Sequence, residues 1–196
     1  TAQTPINITK VRHRKLKNLV FSYGPTDAAV ADNGHTVKLT PNATRTVTID
    51  SKVYNFAQVH FHTPSEHEIK GKKYPVEVHF VNQAGDSSLA VVGVFIIEGK
   101  YDNPAWEPFV QALTNPATLS NVDWSKMLPK DKKTIRYSGS LTTPPCSEGV
   151  AWNIFTKAVK LSRRQINEFI NAYNGNDRPV MPLNGREVIL DSSSKD

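Results

Sequence analysis

The chain has 196 residues, 38% of them hydrophobic, which is enough for one domain with a sizeable core and short for two. No apolar run approaches the length of a membrane span; the longest, Leu89 to Ile97, is strand-sized. The net charge of +6 raises nucleic acid as a partner, but the one dense basic run, "KVRHRKLK" at 10–17, has no interleaved aromatics and no accompanying motif, so it reads as a solvated charged edge.

The chain opens on "TAQTPINI", which reads as strand rather than as a signal peptide. Turn signals at Asp32-Asn33-Gly34 and Ala84-Gly85-Asp86 separate short β-rich segments. Strands are predicted over 36–39, 45–49, 53–62, 76–82, 88–97, 133–138 and 150–159. Two helices are predicted, one after the 88–97 strand and one after the 150–159 strand. Pro104–Asn115 aligns Trp106, Phe109, Val110 and Leu113 in one apolar stripe. Ser162–Tyr173 aligns Ile166, Phe169, Ile170 and Tyr173, opens on a Ser162/Gln165 capping box and stops near Gly175. The expected fold is α+β and sheet-dominated: residues 1–196 as a single domain, with a large central twisted, mostly antiparallel sheet and a few peripheral helices.

Three of the six histidines fall within "VHFHTPSEHE", residues 59–68. Strand side chains alternate faces, so Gln58, His60 and His62 share one face while Val59 and Phe61 take the other. The 76–82 strand repeats the pattern, with Glu77, His79 and Val81 opposite Val78 and Phe80. The loop between them is short enough for antiparallel neighbours, and three imidazoles can then converge. Gln58 and Glu77 each stand two residues before a histidine, placed to orient an imidazole and fix its tautomer. Three neutral nitrogen donors without a fourth protein ligand suit Zn2+ with an open position. His67 has the wrong parity to join them and reads as a structural hydrogen-bonder to Glu77. His60-Phe61-His62 followed by Glu66 also has the H-x-H-x3-E spacing of a cupin metal site. The chain lacks the cupin glycine, Tyr54 standing in its place, and any later histidine after a Pro-x-Gly turn.

The stretch "GSLTTPPCSEGVAW" (139–152), with "QVHFH", "SEHE", "EVHFV", "NGH" and the opening "QTPINI", resembles an α-class carbonic anhydrase, closest to bacterial secreted members. The motifs run in the family's order from Gln3 to about Ile189. The resemblance implies zinc-dependent reversible hydration of carbon dioxide to bicarbonate and a proton, by attack of a zinc-bound hydroxide. His60, His62 and His79 match the zinc ligands, and Gln58 and Glu77 the residues that orient them. Thr142 matches the acceptor that orients the hydroxide, and Glu66 the carboxylate that takes the threonine's own proton. His35 matches the proton shuttle. Val81, Val91, Leu141, Val150 and Trp152 match the apolar wall around carbon dioxide, with Thr143 beside bicarbonate.

The same resemblance implies inhibition by anions and sulfonamides, admits a homodimer, and places the protein in the periplasm or outside the cell. Several features depart from the family pattern. The loop from His62 to Glu66 is shorter than in animal members. Lys38 stands where the family commonly has an uncharged polar residue. The aromatic-rich stretch that usually precedes "QSPINI" is not in these residues. The single cysteine, Cys146, matches one half of a disulfide whose usual partner lies in that stretch. The expectation is therefore a fragment of a longer exported protein. A catalytically silent relative used for binding is the competing class; such relatives typically lose a zinc-binding histidine, and all three remain here.

Overall fold

The structure, a computed structural model, describes residues 1–193. Its centre is a 13-stranded sheet. The main path runs Leu119–Asp123, Pro25–Asp32, Val37–Pro41, Lys52–His62, Val76–Gln83, Leu89–Gly99, Glu148–Phe155, Thr134–Ser140, Ile189–Asp191 and Arg12–Arg14. Most neighbours are antiparallel, including the central trio from Lys52 to Gly99. Parallel pairing is confined to Leu89–Gly99 with Glu148–Phe155 and Val159–Ser162, to Ile189–Asp191 with Arg12–Arg14, and to a separate two-stranded pair, Asn7–Ile8 with Glu68–Ile69.

Alternation along the central strands sorts the sheet into two unlike faces. Val59, Phe61, Val78, Phe80, Val92 and Val94 are buried in the larger apolar core. The helices Glu107–Thr114 and Arg163–Ala172 close that side, with Phe61 edge-on to Phe169 at 5.0 Å between ring centres. The second helix starts as its sequence predicts: the Ser162 hydroxyl accepts from the Gln165 amide at 3.2 Å, and the Gln165 side chain accepts from the Ser162 amide at 3.4 Å. Across the sheet, Val81, Val91, Val150, Trp152 and Ile154 form a smaller core with Ile6, Ile8 and Val188. The histidine face lies on this second side.

The strand pattern differs from the sequence expectation in several places, short strands at Arg12–Arg14, Val20–Ser22, Glu68–Ile69 and Ile189–Asp191 among them. The predicted strand 150–159 is two strands, broken at 156–158, and both pieces pair in parallel with Leu89–Gly99. Pro25–Asp32 and Leu119–Asp123 add strands that the sequence conceals. "PTDAAVAD" has few of the β-branched and aromatic residues that mark strands, and it is a strand because Ala28–Asp32 pairs with Val37–Pro41. The basic run is indeed an edge: Arg12–Arg14 is fully exposed and ends the sheet, with Arg12 and Arg14 both paired to Glu187 at 3.1 and 2.9 Å.

One glycine is needed for a close approach. A Cβ on Gly139 would lie 2.0 Å from the Thr4 hydroxyl and 2.9 Å from the Trp152 ring. That hydroxyl accepts from the Ser140 amide and from Tyr137, each at 3.0 Å, so the N-terminal segment is anchored where only glycine leaves room.

Candidate metal centre

His60 and His79 stand directly opposite each other in the antiparallel ladder, and His62 opposes Glu77. The predicted parity therefore holds, and three imidazoles meet on one face. Their rings lie 4.7–5.3 Å apart, and one nitrogen from each falls within 4.8 Å of the others.

The outer nitrogens decide which inner atoms are free. His60 Nδ1 donates to Gln58 Oε1 at 2.9 Å, and His62 Nδ1 to the Asn176 carbonyl at 3.0 Å. His79 Nε2 donates to Glu77 Oε1 at 2.8 Å. Each acceptor fixes a neutral tautomer whose remaining nitrogen carries a lone pair: Nε2 of His60, Nε2 of His62 and Nδ1 of His79. His62 Nε2 is fully buried and has no hydrogen-bond partner. A buried lone pair left without a donor is costly, and a cation held by all three nitrogens would satisfy it. The residues fit a zinc-type centre with three nitrogen ligands.

Electrostatics favour the neutral form at two of the three imidazoles and oppose it at the third. Burial lowers the pKa of His60 well below the ordinary imidazole value, with neighbouring His62, His79 and Lys38 adding to it. Burial likewise lowers His62, against the opposing pull of Glu66. For His79 burial acts downward too, but the charge and hydrogen bond of Glu77 outweigh it and the value rises. Burial pushes Glu77 upward, yet His67 and His79 together hold it well below the carboxylate range.

His67 occupies the predicted supporting role. Its Nδ1 meets Glu77 Oε1 at 2.7 Å, its backbone amide meets Glu77 Oε2 at 2.8 Å, and its Nε2 meets the Tyr137 hydroxyl at 2.6 Å. Both ring nitrogens are engaged, so neither is available to a metal.

A cavity of about 170 Å3 opens over His60 and His79. Val81, Val91, Leu141, Thr142, Thr143 and Trp152 line it, as does Leu89, which the sequence reading missed. Leu89 could have been found from parity, because it shares a face with Val91 two residues on. Val150 is not among the cavity-lining residues; it is buried in the smaller core with Trp152 and Val91. Glu66 is buried, with Oε1 accepting from the Arg178 amide at 3.0 Å. Its Oε2 has no partner, so Thr142 and Glu66 are not hydrogen-bonded to each other here.

His35 is exposed at the Asn33 turn. The residue joining it to the centre is Asn176, absent from the sequence reading. Its side chain donates to the His35 carbonyl at 2.9 Å and accepts from the Thr63 amide at 2.8 Å, while its own carbonyl holds His62. A role played through a backbone carbonyl leaves no signature in residue type. Cys146 is a free, half-buried thiol; it is the chain's only cysteine, so no disulfide forms within these residues.

A large mixed sheet carries three convergent imidazoles that could hold a metal ion beside an apolar-walled cavity. A sequence profile for eukaryotic-type carbonic anhydrases matches residues 1–192. A carbonic anhydrase from Neisseria gonorrhoeae is 36% identical over 192 residues, covering 95% of this chain and 76% of the relative. Among solved structures, the α-carbonic anhydrase of Thermovibrio ammonificans, in complex with the inhibitor sulfanilamide, superposes with a TM-score of 0.87 at 36% identity, over 96% of this chain and 86% of that one. Dioscorin complexed with ascorbate gives 0.90 at 30% identity, over all of this chain and 88% of that one. The chain belongs to the α-carbonic anhydrase family. It is a lyase of the carbonate dehydratase type, and family and fold together support hydration of carbon dioxide.

Proposed function

We propose that the chain hydrates carbon dioxide reversibly at a zinc ion held by His60, His62 and His79. The observation that carries this reading is the buried, unpartnered Nε2 of His62 facing two further imidazole lone pairs. When bound, zinc supplies a water acidic enough to ionise near neutrality, an effect for which carbonic anhydrases are the type case.

The protein's own groups do the rest. Gln58, Glu77 and the Asn176 carbonyl hold the imidazoles neutral and aimed. Thr142 accepts a hydrogen bond from the attacking O–H and orients its lone pair toward the substrate. A threonine hydroxyl has one proton to give; the two side chains are not bonded in the structure, and in the proposed cycle Glu66 Oε2, buried and without a partner, is its acceptor. Val81, Val91, Leu141 and Trp152 present apolar surface to carbon dioxide, which carries no charge or dipole to pair, and Val150 backs them. Thr143 lies beside the bicarbonate formed. His35 passes the released proton to solvent, a task that suits an imidazole because its ordinary titration lies near neutrality.

The fold alone does not select this reading over a silent binding protein; the complete donor set supports it. Sulfonamides and small anions are expected to bind the same pocket. Similarity to bacterial carbonic anhydrases favours a periplasmic or secreted setting, where a cysteine outside these residues could pair with Cys146. The decisive experiment measures zinc content and carbon dioxide hydration on one sample. One zinc per chain with activity is expected; an active chain without metal, or a metal-loaded chain without activity, overturns the reading.

A further inference from the structure

Leu39 pairs with Val59 in the antiparallel ladder, and both side chains enter the larger core. One step along, the same register sets Lys38 opposite His60, with both side chains on the histidine face. Just before the strand, the Thr36 hydroxyl ties the same two segments together, donating to the Phe61 carbonyl at 2.8 Å. Lys38 is half-buried. The ion pairs among the described residues engage Lys52, Lys73, Lys126 and several arginines, and none engages Lys38. Its charge nevertheless reaches His60. The other ionisable groups near this face include His62, His67, His79, Glu66, Glu77 and the exposed His35; both carboxylates are turned to the histidines or to Arg178.

We propose that Lys38 sets the anion affinity of this pocket, as an unpaired cation placed beside a metal ligand rather than on the metal. The inference rests on His60, His62 and His79 being the ligands. A fixed positive charge there attracts a monovalent anion entering the cavity and repels the incoming dication. The two effects have opposite signs, which separates them from simple structural damage. Neutralising Lys38 weakens anion binding and tightens metal binding at once, whereas a distorted site loses both. The neutral substrate, carbon dioxide, has no first-order interaction with this charge; bicarbonate and inhibitory anions do. Lys38 therefore tunes how readily anions compete for the centre.

The test compares the wild-type chain with Lys38→Gln, Lys38→Met, Lys38→Arg and Lys38→Glu. Zinc affinity is measured by competition with a chromophoric chelator. Thiocyanate affinity is measured from the visible spectrum of the cobalt-substituted protein, so neither readout is activity. In Lys38→Gln and Lys38→Met, thiocyanate should bind about fivefold more weakly and zinc about fivefold more tightly. That is the order expected for charges several ångströms apart at a partly solvated site. Lys38→Glu should move both further in the same directions, Lys38→Arg should move neither, and high salt should shrink the differences. A wild-type chain that takes up no metal would overturn the ligand assignment and this inference with it. One metal per chain with both affinities unchanged, or both weakened, in the two neutral variants would overturn the inference alone.

Discussion

The strands that carry His60, His62 and His79 and the loop that carries Thr142, Thr143 and Cys146 are held very differently. The strands are paired on both sides through the middle of the sheet, and His62 and His79 are almost wholly buried. From Leu141 to Ser147 the chain leaves the sheet, and Thr143, Pro144 and Pro145 are exposed. Few hydrogen bonds tie it down: the Leu141 amide to the Ser147 carbonyl at 3.0 Å, the Ser140 hydroxyl to the Leu141 carbonyl at 2.8 Å, a turn from Cys146 to Thr143, and Gln3 on the Cys146 carbonyl at 3.1 Å. On the proposed roles, metal affinity belongs to the sheet and orientation of the nucleophile to the loop. Substitutions should separate the two.

The largest effect belongs to the strands. His62→Ala removes the nitrogen that has no other partner, so both zinc binding and hydration should be lost. Stoichiometric zinc with full activity in that variant would disprove the ligand set. On the loop, Thr142→Ala should leave zinc in place and slow hydration by about 10²–10³-fold, by analogy with the loss of one transition-state donor. Unchanged turnover at full metal occupancy would show that Thr142 does not orient the nucleophile. If zinc is lost as well, the sheet and the loop are coupled and the comparison fails.

A smaller effect is expected behind the ligands. Glu77 accepts from His79 and His67 together. Glu77→Gln removes the charge that holds both and should weaken zinc binding by about 10–100-fold, the usual scale for partners of metal-bound histidines. Chelator competition reads this directly, and unaltered affinity would remove Glu77 from the centre's support.

The two regions also differed in how legible they were. His60, His62, His79, Gln58 and Glu77 could be placed from strand parity alone, because a two-residue period converts spacing into a shared face. Thr142, Glu66 and His35 could not: a loop has no period, and their roles came from resemblance to a family. Asn176 escaped both routes, since it orients His62 through a carbonyl that every residue possesses. The same reasoning explains the fold. The hydrophobic central strands were readable. Pro25–Asp32 was not, because its strand character comes from partners far along the chain. The break at 156–158 was hidden for a similar reason: both halves pair with one long strand, and nothing local marks where the chain steps from one stretch to the next.

The smallest expected effect lies where the polypeptide is firmly held but the side chain is free. The His35 amide donates to Asn33 Oδ1 at 3.0 Å, and its carbonyl accepts from the same Asn176 that holds His62. The backbone is therefore tied to the centre while the imidazole stands in solvent. Such a ring can reorient between the pocket and bulk water, which a buried histidine such as His67 could not do. His35→Ala should leave zinc content and kcat/KM for carbon dioxide unchanged, because the proton leaves after the carbon–oxygen bond has formed. It should lower kcat in dilute buffer by less than the about 10²-fold typical of a buried general base, since small bases in solution can replace an exposed relay. Added imidazole should restore the rate. An unaltered kcat in weak buffer, or a deficit that imidazole cannot repair, would take the relay away from His35 and leave it as the surface end of the Asn176 tether.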